Sequence, residues 1–173
     1  MEELIEFLKI LAPAGLVLYA MYLVVKSFLN KEIDKIRLEY KANNSKEVIP
    51  IRLQAYERVV LFLERISANN LVMRLNQPQL SARELQQMML MEIRDEYNHN
   101  VSQQVYMSDD AWELVKNAKE DLIISINKAS QEMDDNSSST DLAKRLFEEV
   151  IAKDVDPITL ALHQVKDEIR QSF

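Results

Sequence analysis

An uncharged run, Ile10–Val25 (ILAPAGLVLYAMYLVV), constrains this chain more than any other stretch. A helix crossing a bilayer needs about 20 mostly apolar residues to match a hydrocarbon core about 30 Å thick. The run alone is shorter, but Leu4, Ile5, Phe7 and Leu8 extend it upstream, and Phe28 and Leu29 downstream. Lys9 and Lys26 stand near its ends, where long side chains can lift their ammonium groups to the headgroups. A single transmembrane helix over residues 7–28 is therefore expected, with Pro13 and Gly15 tolerated inside it. A cleaved signal peptide fits less well. Glu2, Glu3 and Glu6 occupy the part that should be basic, and apolar residues continue past Ala12-Pro13-Ala14. A buried core helix of a soluble protein is the remaining alternative.

Lys and Arg near a span set its orientation. Only Lys9 precedes it, whereas Lys26, Lys31, Lys35, Arg37 and Lys41 lie at or beyond its far end. The bias places the C-terminal domain in the cytoplasm, the short acidic N-terminus outside, and the protein at the cell inner membrane.

Several chemistries are excluded by what the chain lacks. It has no cysteine, so neither a disulfide framework nor a thiolate site can form. Its one glycine, Gly15, lies inside the apolar run, which removes glycine-rich phosphate loops and dinucleotide fingerprints. No stretch alternates with period two for long, and Asn-Gly hairpin turns are absent. The fold class expected is all-α: one N-terminal transmembrane helix followed by a cytoplasmic helical bundle. The charge of −7 resides in residues 107–173, with fifteen acids against eight bases, while residues 30–106 have ten against eleven. An acidic distal half argues against nucleic acid as a partner, because phosphate binding needs a basic face.

Taken in order, the chain divides into an anchor (1–29), a juxtamembrane helix and linker (30–48), a bundle core (49–133) and a C-terminal helical pair (134–173). Leu18, Tyr22, Val25, Leu29, Ile33, Ile36 and Tyr40 recur at helical spacing and carry one apolar stripe from lipid into water. Ile33, Ile36 and Tyr40 must pack on something. The chain's own domain is the expected cover, and a parallel coiled coil with a second copy is the alternative. Asn43-Asn44-Ser45 reads as a linker, with Pro50 opening the next helix. Ile51–Ile66 has the widest apolar face, formed by Leu53, Tyr56, Val60 and Leu63 beside Val59, Phe62 and Ile66, and is expected at the bundle centre. Ser81-x-x-Glu84 has capping-box spacing before Leu85, Met88, Met89 and Ile93. Ser108 or Asp109 caps a helix whose inner side carries Trp112, Val115, Leu122 and Ile126. After the Asp134–Ser139 linker, Leu142, Leu146, Phe147, Val150 and Ile151 are expected to face inward. Asp156-Pro157 then starts a last helix with Leu160, Leu162, Val165 and Ile169 inside.

One constellation could carry chemistry. Glu92, Glu96 and His99 share a helix face, and Glu96-x-x-His99 has the spacing used twice in di-iron bundles. The second copy is missing, because Leu160 stands three residues before His163. No serine elbow exists, and scattered carboxylates on helices are ordinarily the wet face. No active site and no cofactor are expected, with a metal-binding bundle enzyme or sensor on Glu92, Glu96 and His99 as the alternative.

Two blocks, RLQAYERVVLFLERI (residues 52–66) and EYNHNVSQQVYMSDDAWELVKNAKE (residues 96–120), carry a resemblance. Residues 1–130 resemble an uncharacterised family of small membrane-anchored proteins of Bacteroidota, with an L-Q-A-Y-E-R-type helix and an H-N-x-S-Q-Q-type segment leading to a tryptophan. The resemblance implies a domain of unknown function and draws attention to Asn98, His99, Ser102, Gln103 and Gln104. These read either as a structured loop and partner surface or as a helix end bonded to its neighbours. The expected role is a membrane-tethered scaffold. Its candidate contacts are Ile33, Ile36, Tyr40, Asn98, His99, Gln103 and Gln104, and its partners are membrane or cytosolic proteins, including a homo-oligomer.

Overall fold

The computed structural model describes the backbone of residues 2–171 and the side chains of residues 13, 15–37, 39 and 48–171. It is all-α, with helices α1 (Glu2–Ile66), α2 (Ala68–Leu75), α3 (Ala82–Asn100), α4 (Asp109–Gln131), α5 (Ser139–Ile151) and α6 (Pro157–Gln171). A 3-10 helix, Val101–Tyr106, links α3 to α4. The chain forms two compact units, Met1–Ile49 and Pro50–Phe173.

The first unit is helical throughout its described backbone. The expected linker at Asn43-Asn44-Ser45 is absent, because α1 continues through it and through Pro50. Asn and Ser are weak helix formers, not breakers, and proline's fixed φ is compatible with a helix that forgoes one N–H bond. Ile33 and Ile36 are 48% and 57% exposed. Tyr40 lies outside the described side chains. Among the described residues, no helix is long and apolar enough to cross a membrane. The side chains of residues 7–12 and 14, which belong to the expected span, lie outside those described.

The second unit is built around one core. The last four turns of α1 contribute Tyr56, Val59, Phe62, Leu63 and Ile66, all buried. Leu53, expected beside them, is exposed. Leu71 of α2, Leu85, Met89 and Ile93 of α3, and Trp112, Val115, Leu122 and Ile126 of α4 join this core. So do Leu142 and Leu146 of α5, and Ile158, Ala161, Leu162 and Val165 of α6. Each large aliphatic side chain fully buried in this way contributes about 1.5–3 kcal/mol. Two inward assignments are corrected. Ile151 is 80% and Leu160 is 47% exposed, because the last turn of α5 directs Val150, not Ile151, to the core, and α6 turns Ala161, not Leu160, inward. Phe62, Tyr97 and Trp112 form a continuous aromatic row, with ring centroids 6.1 and 5.9 Å apart.

Two helix–loop–helix units, α2–α3 and α4–α5, are joined at their loops. The N–H of Ala82 donates to the Ser137 carbonyl at 2.9 Å, and the N–H of Ser139 donates to the Leu80 carbonyl at 3.0 Å. This antiparallel bridge pairs Ser81 with Ser138. Both serines are N-caps within full capping boxes, closed by Glu84 and Asp141 respectively. The capping hydrogen bonds to Ser81 and Ser138 hold both carboxyls below their ordinary values. The expected caps of α4 and α6 are also present. The Ser108 hydroxyl accepts from the N–H of Ala111, and the Asp156 carboxylate accepts from those of Ile158 and Thr159.

Candidate functional site

Glu92 and Glu96 on α3 face cations from two other helices. Arg65 Nε of α1 lies 2.6 Å from Glu96 Oε1, and Arg74 Nη1 of α2 lies 2.7 Å from Glu92 Oε1. The His99 side chain is exposed, and its backbone carbonyl accepts from Arg58 Nη2 at 3.1 Å. Among the described residues, no three His, Asp or Glu groups are placed to hold a metal ion. The metal constellation kept as the alternative is not assembled among them, because its carboxylates are bonded to arginines that hold α3 against α1 and α2.

The amide-rich segment after α3 is ordered into the 3-10 helix. Asn98, His99, Ser102 and Gln104 are exposed, whereas Asn100 and Gln103 are buried. Asn100 Nδ2 donates to the Glu96 carbonyl at 2.8 Å, and Gln103 Nε2 donates to Ser102 Oγ at 3.1 Å. Together the 3-10 helix and α1 enclose a groove of about 360 Å³, lined by Ile51, Gln54, Ala55, Arg58, Gln103 and Tyr106 among others. Val105 is 78% exposed at its edge, and Ile51 and Leu53 are exposed on α1. A surface combining exposed aliphatic side chains, a tyrosine, an arginine and amides has the make-up of a protein-binding patch. Of the residues expected from sequence, the structure brings Gln103 into this groove. His99 contributes its carbonyl to Arg58, and Asn98 and Gln104 stay exposed nearby in the chain.

A second cavity, about 180 Å³, lies among α2, α4, α5 and α6 and was not foreseen. Ala68, Leu122, Phe147 and Val150 supply apolar walls. Lys153 Nζ pairs with Asp121 and donates to Ser125 Oγ at 2.7 Å. The only sequence signal was Ser125, a polar residue three positions after Leu122 on the inner face of α4. An ammonium neutralised by a neighbouring carboxylate supplies no nucleophile or general base by itself.

These features define an all-α domain whose polar groups mostly serve packing, continuing from a helix with exposed apolar side chains. The chain belongs to DUF7935, a family of unknown function whose model matches residues 2–172. No curated protein and no solved structure matches it.

Proposed function

We propose that the protein is a non-enzymatic, membrane-tethered helical scaffold. The residues around 7–28 anchor it in the inner membrane as a single pass, with the second unit in the cytoplasm docking other membrane or cytosolic proteins. The small membrane-anchored architecture that its sequence blocks resemble, and the Bacteroidota origin of that family, belong to the same proposal. The observation carrying it is the exposure of the large apolar side chains of the described segment: Leu16 through Leu29 are each 46–70% exposed. Exposed apolar surface on this scale is costly in water, and lipid removes the cost. The Lys and Arg residues that follow support the orientation. The groove between α1 and the 3-10 helix is the docking surface of the second unit, with Gln103 inside it and Asn98, His99 and Gln104 close by in sequence.

Two measurements test this reading. Alkaline carbonate extraction of membranes should leave the full-length protein in the pellet, and its release into the supernatant would refute the anchor. Val105→Asp with Tyr106→Ala should abolish co-purification of a partner without moving the denaturation midpoint. Unchanged co-purification would remove the groove from the proposal.

A further inference from the structure

The stripe Leu18, Tyr22, Val25, Leu29, Ile33, Ile36, Tyr40 has spacings of 4, 3, 4, 4, 3 and 4, which is a block of eleven residues repeated. Leu18 maps onto Leu29, Tyr22 onto Ile33, and Val25 onto Ile36, each one repeat along α1. An eleven-residue repeat follows the α-helix more closely than a heptad, so partners along it run nearly straight or wind with a slight right-handed twist. The stripe's described members remain uncovered, at 53% exposure for Leu29, 48% for Ile33 and 57% for Ile36. Past Leu29 the other faces of the helix turn polar, through Asn30, Lys31, Glu32, Asp34, Lys35, Arg37 and Glu39.

The residues flanking the stripe differ in sign. Lys26 and Arg37, one repeat apart, lie along the edge carrying Tyr22 and Ile33. Glu32 lies along the opposite edge, beside Leu29 and Ile36, with Glu39 one turn beyond Ile36. Glu32, Arg37 and Lys26 are all exposed. When two identical helices pair in parallel, each basic edge meets the partner's acidic edge. In an antiparallel pair, like edges meet and repel. In the parallel case Glu32 faces Arg37 of the other copy, five residues further on, an axial offset of about 7.5 Å that two long side chains span.

We infer that residues 18–40 of α1 form a parallel pair with a second copy of this chain, joined along the eleven-residue stripe and oriented by its unlike flanks. The pairing is set by the stripe and flanks of α1 alone and does not rest on the membrane tether, although two tethered copies would meet in the same orientation.

The chain contains no cysteine, so single cysteines report the interface without background. Full-length Leu29→Cys, Ile33→Cys and Ile36→Cys proteins, oxidised in membranes and again in mild detergent, are expected to form disulfide-linked dimers several-fold more than Lys31→Cys and Asp34→Cys. Self-crosslinking at all three stripe positions marks the parallel arrangement. At only one of them, it would mark an antiparallel crossing and overturn the proposal, as would equal yields on every face or crosslinks only to a different protein. Glu32→Arg should lower the Ile36→Cys yield, and adding Arg37→Glu should restore it. Failure to restore it overturns the charge-directed pairing. Carbonate extraction of the same samples reads the tether separately, so the two claims fail independently.

Discussion

The phenolic hydroxyl of Tyr56 donates to the carboxylate of Glu168, joining α1 to α6 across 112 positions of sequence. The same carboxylate accepts from the Ser108 N–H at 2.8 Å and from Ser108 Oγ at 2.6 Å, so it also holds the N-cap of α4. Three helices thus meet at one acid. Tyr56 is 2% exposed, and Glu168→Ala takes away this partner from its hydroxyl. The variant is expected to lose about 3 kcal/mol in urea denaturation, and Tyr56→Phe, which removes one bond to the same carboxylate, about 1.5 kcal/mol, within the ordinary range for charged partners. A loss below half a kilocalorie for Glu168→Ala would show that the contact does not hold the helices together.

The same pair sets a pH dependence. Burial pushes the Glu168 carboxyl up, yet hydrogen bonds from Ser108 and Tyr56 outweigh it and hold the group below its ordinary 4.5. Its stabilisation is therefore fully present above that value and is lost as pH falls through the lowered folded value. Tyr56 is shifted the other way, raised above 10.0 by burial and by its bond to Glu168. Its stabilisation is present below 10.0 and is lost as pH rises through the raised folded value. Denaturation midpoints followed across pH should fall at both ends; Glu168→Gln should flatten the acid limb and Tyr56→Phe the alkaline one. Wild-type limbs in these variants would assign them to other groups, Glu84 and Asp141 being the first to test on the acid side.

The bridged loops offer a coupling measurement. Ser81→Ala and Ser138→Ala each remove an N-cap, at about 1 kcal/mol apiece. Because the two caps share the Ala82–Ser137 and Ser139–Leu80 hydrogen bonds, their effects should not simply add. The double variant should show a coupling of at least about 0.5 kcal/mol, as groups in contact do. Strict additivity would mean that the loops fold independently.

Burial differences predict a contrast between helical positions of similar size. Leu63→Ala and Ile126→Ala, both at 0% exposure, should cost about 2–5 kcal/mol. Ile151→Ser, at 80% exposure, should stay within about 0.5 kcal/mol of wild type. A large loss at Ile151 would place it in a contact that this fold does not contain.

Much of the second unit was legible from periodicity and caps. Tyr56, Val59, Phe62, Leu63 and Ile66 form the inner face expected of the central helix, and Ser81, Ser108 and Asp156 cap the helices their spacing predicts. Local chemistry suffices at such points, because a cap and its first turn lie within four residues of each other. The Ser138 capping box was hidden inside a run of serines, where any of three hydroxyls could serve and only the bridge to Ser81 selects one. Helix continuity through Asn43–Ser45 was misread because weak formers resemble a linker when no tertiary contact is in view. Glu92 and Glu96 stayed open as alternative ligands because helical spacing shows which groups share a face, not which arginines sit opposite. Those arginines, Arg65 and Arg74, come from helices that only the folded chain brings alongside. The cavity around Lys153 depends on four helices at once and has no short-range signature.

The most direct test of a tethered scaffold is the partition of the full-length protein itself. Membranes washed with alkaline carbonate should retain it, and Leu18→Arg with Val24→Arg should release it, since arginine near the centre of a span costs about 2.5–3.5 kcal/mol on insertion scales. Retention of the wild type and release of the variant, with the second unit still folded by the fluorescence of Trp112, is the expected result. Extraction of the wild type into the carbonate supernatant would contradict it.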